Sequence, residues 1–263
     1  MTFQLDGNGP KIYEEVMVPL WFGRWAEALV EKASLCTSER VLDVACGTGV
    51  TTRLAKSKVG PSGKVDGLDI NALMLAQAKD LAGDLDIQWI ESDVCGSGLP
   101  SGSYDVILSQ HGYHYFPDKP KALSEFLRLL VPGGRLAFSI WYGHSPYTEA
   151  LCAAVARHIS PEIAEKQRSQ RQTPSAEELK QQVEDQGFSD VAVQRQELLI
   201  DVPLAPEFVP MHLASMPIAG AFLALNENAR NALIEEVAEQ LDEFVAGDRL
   251  VYPDAVNVVE GRK

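Results

Sequence analysis

Apolar and polar positions along this chain fall into blocks whose periods change from about two to about three and a half residues, and each period predicts an element. Short apolar runs at 41–44, Lys64 to Asp69, Ile87 to Ser92, Tyr104 to Ser109 and Arg135 to Ile140 have the length and composition of buried strands. Between them, apolar residues recur at helical spacing over 48–58, 71–82 and 119–130. Strands alternating with helices predict an α/β fold, a doubly wound and mostly parallel sheet with helices on both faces. Asp118 followed by Pro120 marks one helix start; Thr173-Pro174-Ser175-Ala176-Glu177-Glu178, with a cap, a proline and acids in the first turn, marks another, which Gly187 ends. Ahead of the first strand, Tyr13, Met17, Leu20, Trp21, Trp25 and Leu29 lie near helical spacing, interrupted by Pro19, so residues 1–35 are expected to form a helical cap.

The pattern changes after Gly187. Val191 to Val202 predicts a long strand and Val251 to Gly261 a final one, with a helical stretch, 203–249, too long for a hairpin turn between them. Its apolar positions include Phe208, Met211, Met216, Phe222 and Leu223, with His212 among them. Nothing marks a second independent domain, so the 263 residues are expected to form one.

The stretch from Val41 to Val50 carries the strongest chemical signal. An apolar strand ends in Asp43, and a turn containing Gly47 and Gly49 leads into a helix. A dinucleotide fingerprint would place a third glycine where Thr52 stands, and a triphosphate-binding loop would place a lysine soon after Gly49, where Val50 and Thr51 stand. The net charge of −14 argues against a nucleic-acid partner. Lys166, Arg168 and Arg171, interleaved with glutamines and beside Glu162 and Glu165, predict a solvated helix face. Cys36, Cys46, Cys95 and Cys152 show no paired spacing and are expected to be reduced thiols, with no metal site. With a polar stretch from Met1 to Pro10 and no membrane-length apolar run, a cytoplasmic location is expected.

From Leu42 to Gly49 the chain resembles the first motif of the class I S-adenosylmethionine-dependent methyltransferases, and further motifs follow in order. Val65 to Asp69 resembles the second strand with its ribose-binding acid, Glu91 to Val94 the adenine-binding turn, and Leu130 to Gly134 the turn before the fifth strand. The likeness is to bacterial small-molecule enzymes of the UbiE-like group. The quinone-biosynthesis branch has an Arg-Asn pair after the fourth strand; here Gln110-His111-Gly112 stands instead, which argues against a benzoquinone acceptor. The resemblance implies a seven-stranded Rossmann-like sheet, a cofactor-binding core over 36–141 and S-adenosylmethionine as the cofactor. It also implies a small organic acceptor methylated on oxygen or carbon, with monomer and homodimer both open.

Residue by residue, the resemblance implies that Ala45, Gly47, Thr48 and Gly49 surround the cofactor's amino acid end, where the Gln110 backbone also lies; Asp43 would act near that end by its charge, through water or by ordering the glycine turn, with no direct contact implied. Asp69 would take the ribose, Ile70 and Met74 the apolar side, and Asp93 with Val94 the adenine. Tyr13 would cap the site, with Trp21 or Trp25 facing the acceptor. His111 and His114 follow the fourth strand, and an imidazole with an unperturbed pKa near ~6.5 can take a proton from a neutral hydroxyl. In the family the last two strands form an edge hairpin, so the 203–249 insertion is expected to be a substrate lid, an accessory core or a dimer surface. Two alternatives remain: a non-catalytic S-adenosylmethionine-binding protein, and a nicotinamide-dependent oxidoreductase sharing the glycine turn and Asp69.

Overall fold

The computed structural model describes residues 9–263. Residues 1–8, the start of the expected N-terminal cap, lie outside the described residues. From there α1 (Gly9–Ile12), a π-helical stretch (Tyr13–Phe22) and α2 (Gly23–Lys32) run on without a break. Pro19 changes the pitch of this run instead of interrupting it. The wider turns let the Gly23 amide donate to the Val18 carbonyl. A Cβ at residue 23 would lie only 2.7 Å from that carbonyl oxygen, so the turn needs a glycine.

Five strands follow in parallel: β1 (Arg40–Val44), β2 (Lys64–Asp69), β3 (Ile87–Glu91), β4 (Tyr104–Gln110) and β5 (Leu130–Trp141). The connecting helices are α3 (Val50–Val59), α4 (Ala72–Ala82) and α5 (Lys119–Leu129). Beyond β5 come α6 (Pro146–His158), α7 (Pro161–Ser169) and α8 (Ala176–Glu184), then β6 (Ser189–Pro203), α9 (Ala205–Ala214), α10 (Ala219–Leu223) and α11 (Glu227–Gln240). The short β7 (Val245–Ala246) and long β8 (Arg249–Arg262) close the chain. The strand order is β3-β2-β1-β4-β5-β8-β6, with β8 antiparallel to β5, β6 and β7. The seven long strands have the expected arrangement; the two-residue β7 left no periodic trace in the sequence. Chain direction across the sheet reverses between β1 and β4, and the crevice at such a reversal is where open α/β sheets bind ligands.

Local chemistry explains the helix starts. The side chains of Asn71, Asp118 and Ser175 accept backbone N–H groups at the first turns of α4, α5 and α8, and Ser175 and Glu178 form a reciprocal capping box. Strand residues alternate between two cores. Val41, Val65 and Val106 face one with Leu29, Ala154 and Phe208, while Leu42, Leu68 and Ile107 face the other with Phe126 and Leu179. The 203–249 segment supplies core residues Phe208, Val209, Leu213, Leu233 and Val237. Among the described residues no helix is long and apolar enough to cross a membrane.

A very close approach lies where β1 hands over to α3. Gly49 has φ +81°, and a Cβ there would sit 2.4 Å from the Trp89 ring on β3. Gly49→Ala combines left-handed strain with overlap against a packed indole, and is expected to destabilise the fold by about 3 kcal/mol in chemical denaturation.

Candidate functional site

One deep cleft opens at the C-terminal ends of β1, β2 and β4, where the order reversal predicts it. Its first half is lined by Ala45, Gly47, Asp69, Ile70, Met74, Asp93, Val94 and Gln110. Asp69, at the last position of β2, accepts the Gly47 amide at 2.8 Å on one oxygen and the Asn71 amide at 2.8 Å on the other. Each carboxylate oxygen keeps a lone pair for a further donor. Burial raises the Asp69 pKa, opposed by these amide bonds. Asp93 accepts the Cys95 amide, capping a short 3-10 turn, and its residue also lines the cleft. Ile70 is 48% exposed and Met74 is buried beside it, and both line the cleft as an apolar shelf.

Four expected site residues do not line the cleft. Asp43 lies beneath the turn, 1% exposed, accepting the Thr52 hydroxyl at 2.6 Å. That hydroxyl occupies the place of a third glycine, and it ties the strand end to α3 from below. Thr48 donates its hydroxyl to Glu14, and Gly49 packs on Trp89. Trp25 is buried in the core, with its ring edge toward His111 at a centroid distance of 6.4 Å.

The N-terminal run is fastened over this half. Glu14 pairs with Arg53 at 2.5 Å as well as with Thr48. Gln110 Nε2 donates to the Phe22 carbonyl at 2.8 Å, while its Oε1 accepts from Thr51. Tyr13, stacked on Phe22 at 5.1 Å, thereby reaches the cleft wall, and Trp21 lines it too.

The other half is aromatic. His111 lies flat on Trp141 at 3.8 Å between centroids, and Trp21, Phe22 and Tyr147 surround them. His111 has φ +52°, and Ala45 across the turn has φ +56°, both unusual for residues with side chains. Neither ring nitrogen of His111 or of His114 has a hydrogen-bond partner, and all four are shut from solvent. Burial pulls the His111 pKa well below its usual range and that of His114 down to about 3, with the positive charge of Arg171 acting the same way on both.

Sequence reasoning missed three residues here. Arg171, expected on a solvated face, is 6% exposed and lines the cleft, because its partner Asp254 lies buried in β8. Lys166 does remain exposed and Arg168 pairs with Glu149. Gln167, Gln170 and Arg171 all line the cleft at helical spacing, and an acid within the apolar run of β8 needs a cation; those were the available signals. His212, from the insertion, shares a 2.8 Å hydrogen bond with Tyr147, and burial holds its pKa down to about 3. Trp141, at the end of β5, is the platform for both His111 and Arg171.

A strand-end acid, a glycine turn whose Gly47 lines the cleft and an apolar shelf together fit an adenosyl group and its attached amino acid. Residues 41–134 match the family model of a methyltransferase domain. This part of the chain belongs to the class I S-adenosylmethionine-dependent methyltransferases. The chain is 35% identical over 144 residues to the 2-phytyl-1,4-naphtoquinone methyltransferase of Thermosynechococcus vestitus, covering 53% of this chain and 63% of that relative. It is 34% identical over 122 residues to the aklanonic acid methyltransferase DauC of a Streptomyces species, covering 45% and 56%. The chain spans about half the length of the curated relatives it matches. Phosphoethanolamine N-methyltransferase 2 of Haemonchus contortus, solved with phosphomonomethylethanolamine and S-adenosylhomocysteine, superposes with a TM-score of 0.62 at 21% identity, over 97% of this chain and 57% of that one. At that identity the likeness is one of fold.

Burial pushes the Asp43 pKa up to about 7, with the Thr52 hydroxyl pulling the other way and Asp69 adding to the rise. A carboxyl whose folded pKa exceeds its unfolded one stabilises fully only below the unfolded value, and that contribution fades as pH rises toward 7. Asp43→Asn keeps an acceptor for Thr52 and cannot ionise. Its thermal stability relative to the parent chain should therefore improve by about 4 kcal/mol between pH 4 and pH 8; a pH-independent difference would contradict the assignment.

Proposed function

We propose that this chain transfers a methyl group from S-adenosylmethionine to a small, flat organic acceptor, on oxygen or carbon. The observation that carries the reading is the single cleft whose two halves, an adenosyl-type cradle and an aromatic chamber, meet at the turn 45–47 and the end of β4. The named activities of the quinone and polyketide relatives support an acceptor of this kind.

In this reading Asp69 accepts the ribose hydroxyls, and Ile70, Met74 and Val94 offer apolar contact to the adenine, with Asp93 at its polar edge. The 45–49 turn and the end of β4 receive the amino acid end; Asp43, Thr48 and Gly49 act by shaping that turn. When bound, the sulfonium supplies the methyl group and departs as a neutral thioether. The chain's own contribution is placement in line and exclusion of water. Tyr13 and Trp21 cover the cleft from the N-terminal run, and His212 and Met216 from the insertion, which thus serves as a lid wall as well as core. Where the acceptor is a neutral hydroxyl, its proton passes to an unpaired ring nitrogen of His111 as the new O–CH3 bond forms. His111 is held neutral by burial, so this acceptor site is present throughout the neutral range. His114 stands as a second hydrogen-bonding imidazole beside it.

Release of S-adenosylhomocysteine over a panel of phenols, hydroquinones and polyketide-like aromatics tests the activity; no release with any of them would leave only cofactor binding. Asp69→Ala should weaken S-adenosylhomocysteine binding by about tenfold to a hundredfold in calorimetry, and unchanged affinity would remove the ribose assignment. His111→Gln should lower kcat by about a hundredfold for a neutral hydroxyl acceptor and far less for a carboxylate acceptor, which needs no base. An equal loss for both would assign His111 a packing role.

A further inference from the structure

Among the described residues that line the cleft, Arg171 is the only arginine or lysine. Its guanidinium lies 4.0 Å above the Trp141 ring. Nη1 donates to Thr148 Oγ1 at 2.7 Å and to Ser145 Oγ at 3.4 Å, and Nη2 donates to Asp254. Asp254 is itself held by the Trp21 indole N–H at 3.2 Å and the Ala255 amide at 2.9 Å. These bonds explain how the side chain staples α6 and the turn after α7 to β8. They leave Nε unexplained, because that N–H is buried and has no partner. An unpaired donor on a charged, desolvated group is costly enough that native proteins seldom keep one without a use.

We propose that Arg171 selects the acceptor, its Nε–H donating to a hydroxyl or carbonyl oxygen carried on the acceptor's aromatic ring. The proposal rests on the methyltransferase reading for calling that molecule an acceptor. The charge balance at this end of the cleft decides the kind of oxygen. Asp254 already compensates the guanidinium, and His111, His114 and His212 are neutral, so no surplus positive charge remains for a phosphate or sulfate. One directed donor beside the rings of Trp21, Phe22, Trp141 and Tyr147 suits a planar ring bearing a single polar oxygen. A phenolic hydroxyl fits further, since it can accept from Nε and donate to an unpaired imidazole nitrogen.

The test uses 2-naphthol and its isostere 2-methylnaphthalene as probes, with binding to the full chain followed by tryptophan fluorescence, with and without saturating S-adenosylhomocysteine. The chain should bind 2-naphthol about tenfold more tightly than the methyl isostere, the penalty of leaving one buried donor unmet. Arg171→Lys keeps a cation for Asp254 but lacks the Nε–H. It should bind both probes alike while its S-adenosylhomocysteine affinity stays that of the parent. If Arg171→Lys does not fold, the double variant Arg171→Met with Asp254→Met, which removes both charges of the buried pair together, is read in its place. Equal binding of the two probes by the parent chain, or a preference surviving in the variant, overturns the proposal. Failure of the parent chain to bind S-adenosylhomocysteine would instead strike the methyltransferase reading, and the probe preference measured without it would still judge Arg171.

Discussion

The hydrogen bond from the Gly47 amide to the Asp69 carboxylate joins the turn after β1 to the end of β2, beside the reversal of strand order between β1 and β4. With it in place, the backbone of the turn faces the cleft and the carboxylate keeps a fixed rotamer. The turn can take this course only because Gly47 and Gly49 accept positive φ, and because Gly49 lets the ring of Trp89 come within a distance no Cβ would allow. From below, the Thr52 hydroxyl binds Asp43 and locks the start of α3 to the end of β1. Cradle, strand end and helix start are thus one connected unit, so a change at any of them is felt at the others.

The cleft is electrostatically polarised. Asp69 and Asp93 give one half an acidic character, suited to hydroxyl, amino and sulfonium groups, while the other half holds the Arg171 guanidinium, compensated by Asp254, and three neutral imidazoles. Such a gradient favours one orientation of a two-part ligand set, with the cationic component toward the acids and the electron-rich component toward the donors. Aromatic walls at the second half add dispersion contact without adding charge, so recognition there falls on a few directed hydrogen bonds.

Much of the fold was legible because it depends on local pattern. The strands from β2 to β4 and the starts of α4, α5 and α8 carry their periodicity and caps in consecutive residues. The cradle was legible for the same reason: Asp69 and the 45–49 turn are set by short motifs. Distant pairings were not. Arg171 stood among glutamines and acids and gave the pattern of a solvated face, because Asp254, the residue that pairs with it, lies far along the chain on the antiparallel strand β8, between β5 and β6. Trp25 and Trp21 were indistinguishable by spacing, and both are buried in the core, yet only Trp21 also lines the cleft, since which side of the N-terminal helical run meets the cleft is settled by packing. Thr48 belonged to the motif by position, but Glu14 on the N-terminal run claims its hydroxyl.

Most of the buried polar atoms left without partners follow the same division, with Trp25 Nε1, Arg135 Nε and Tyr252 Oη as further unpartnered atoms on residues that do not line the cleft. Asp43 Oδ1, Ser109 Oγ, Ser139 Oγ, the four ring nitrogens of His111 and His114, and Arg171 Nε all belong to the ends of β1, β4 and β5 or to the chamber beside them. Elsewhere charged groups pair closely, as with Arg128 and Glu125 or Arg40 and Asp105, although Arg135, paired with Glu39, also keeps a buried Nε without a partner. A chain able to pair its charges across such distances would lose stability by leaving several donors and acceptors idle in one place, unless something else completes them. The positive φ of Ala45, just after β1, and of His111, just after β4, adds backbone strain at these two neighbouring strand ends. Strain and unmet hydrogen bonds coincide where the two halves of the cleft meet, and there a bound donor and acceptor would have to touch for a methyl group to pass between them.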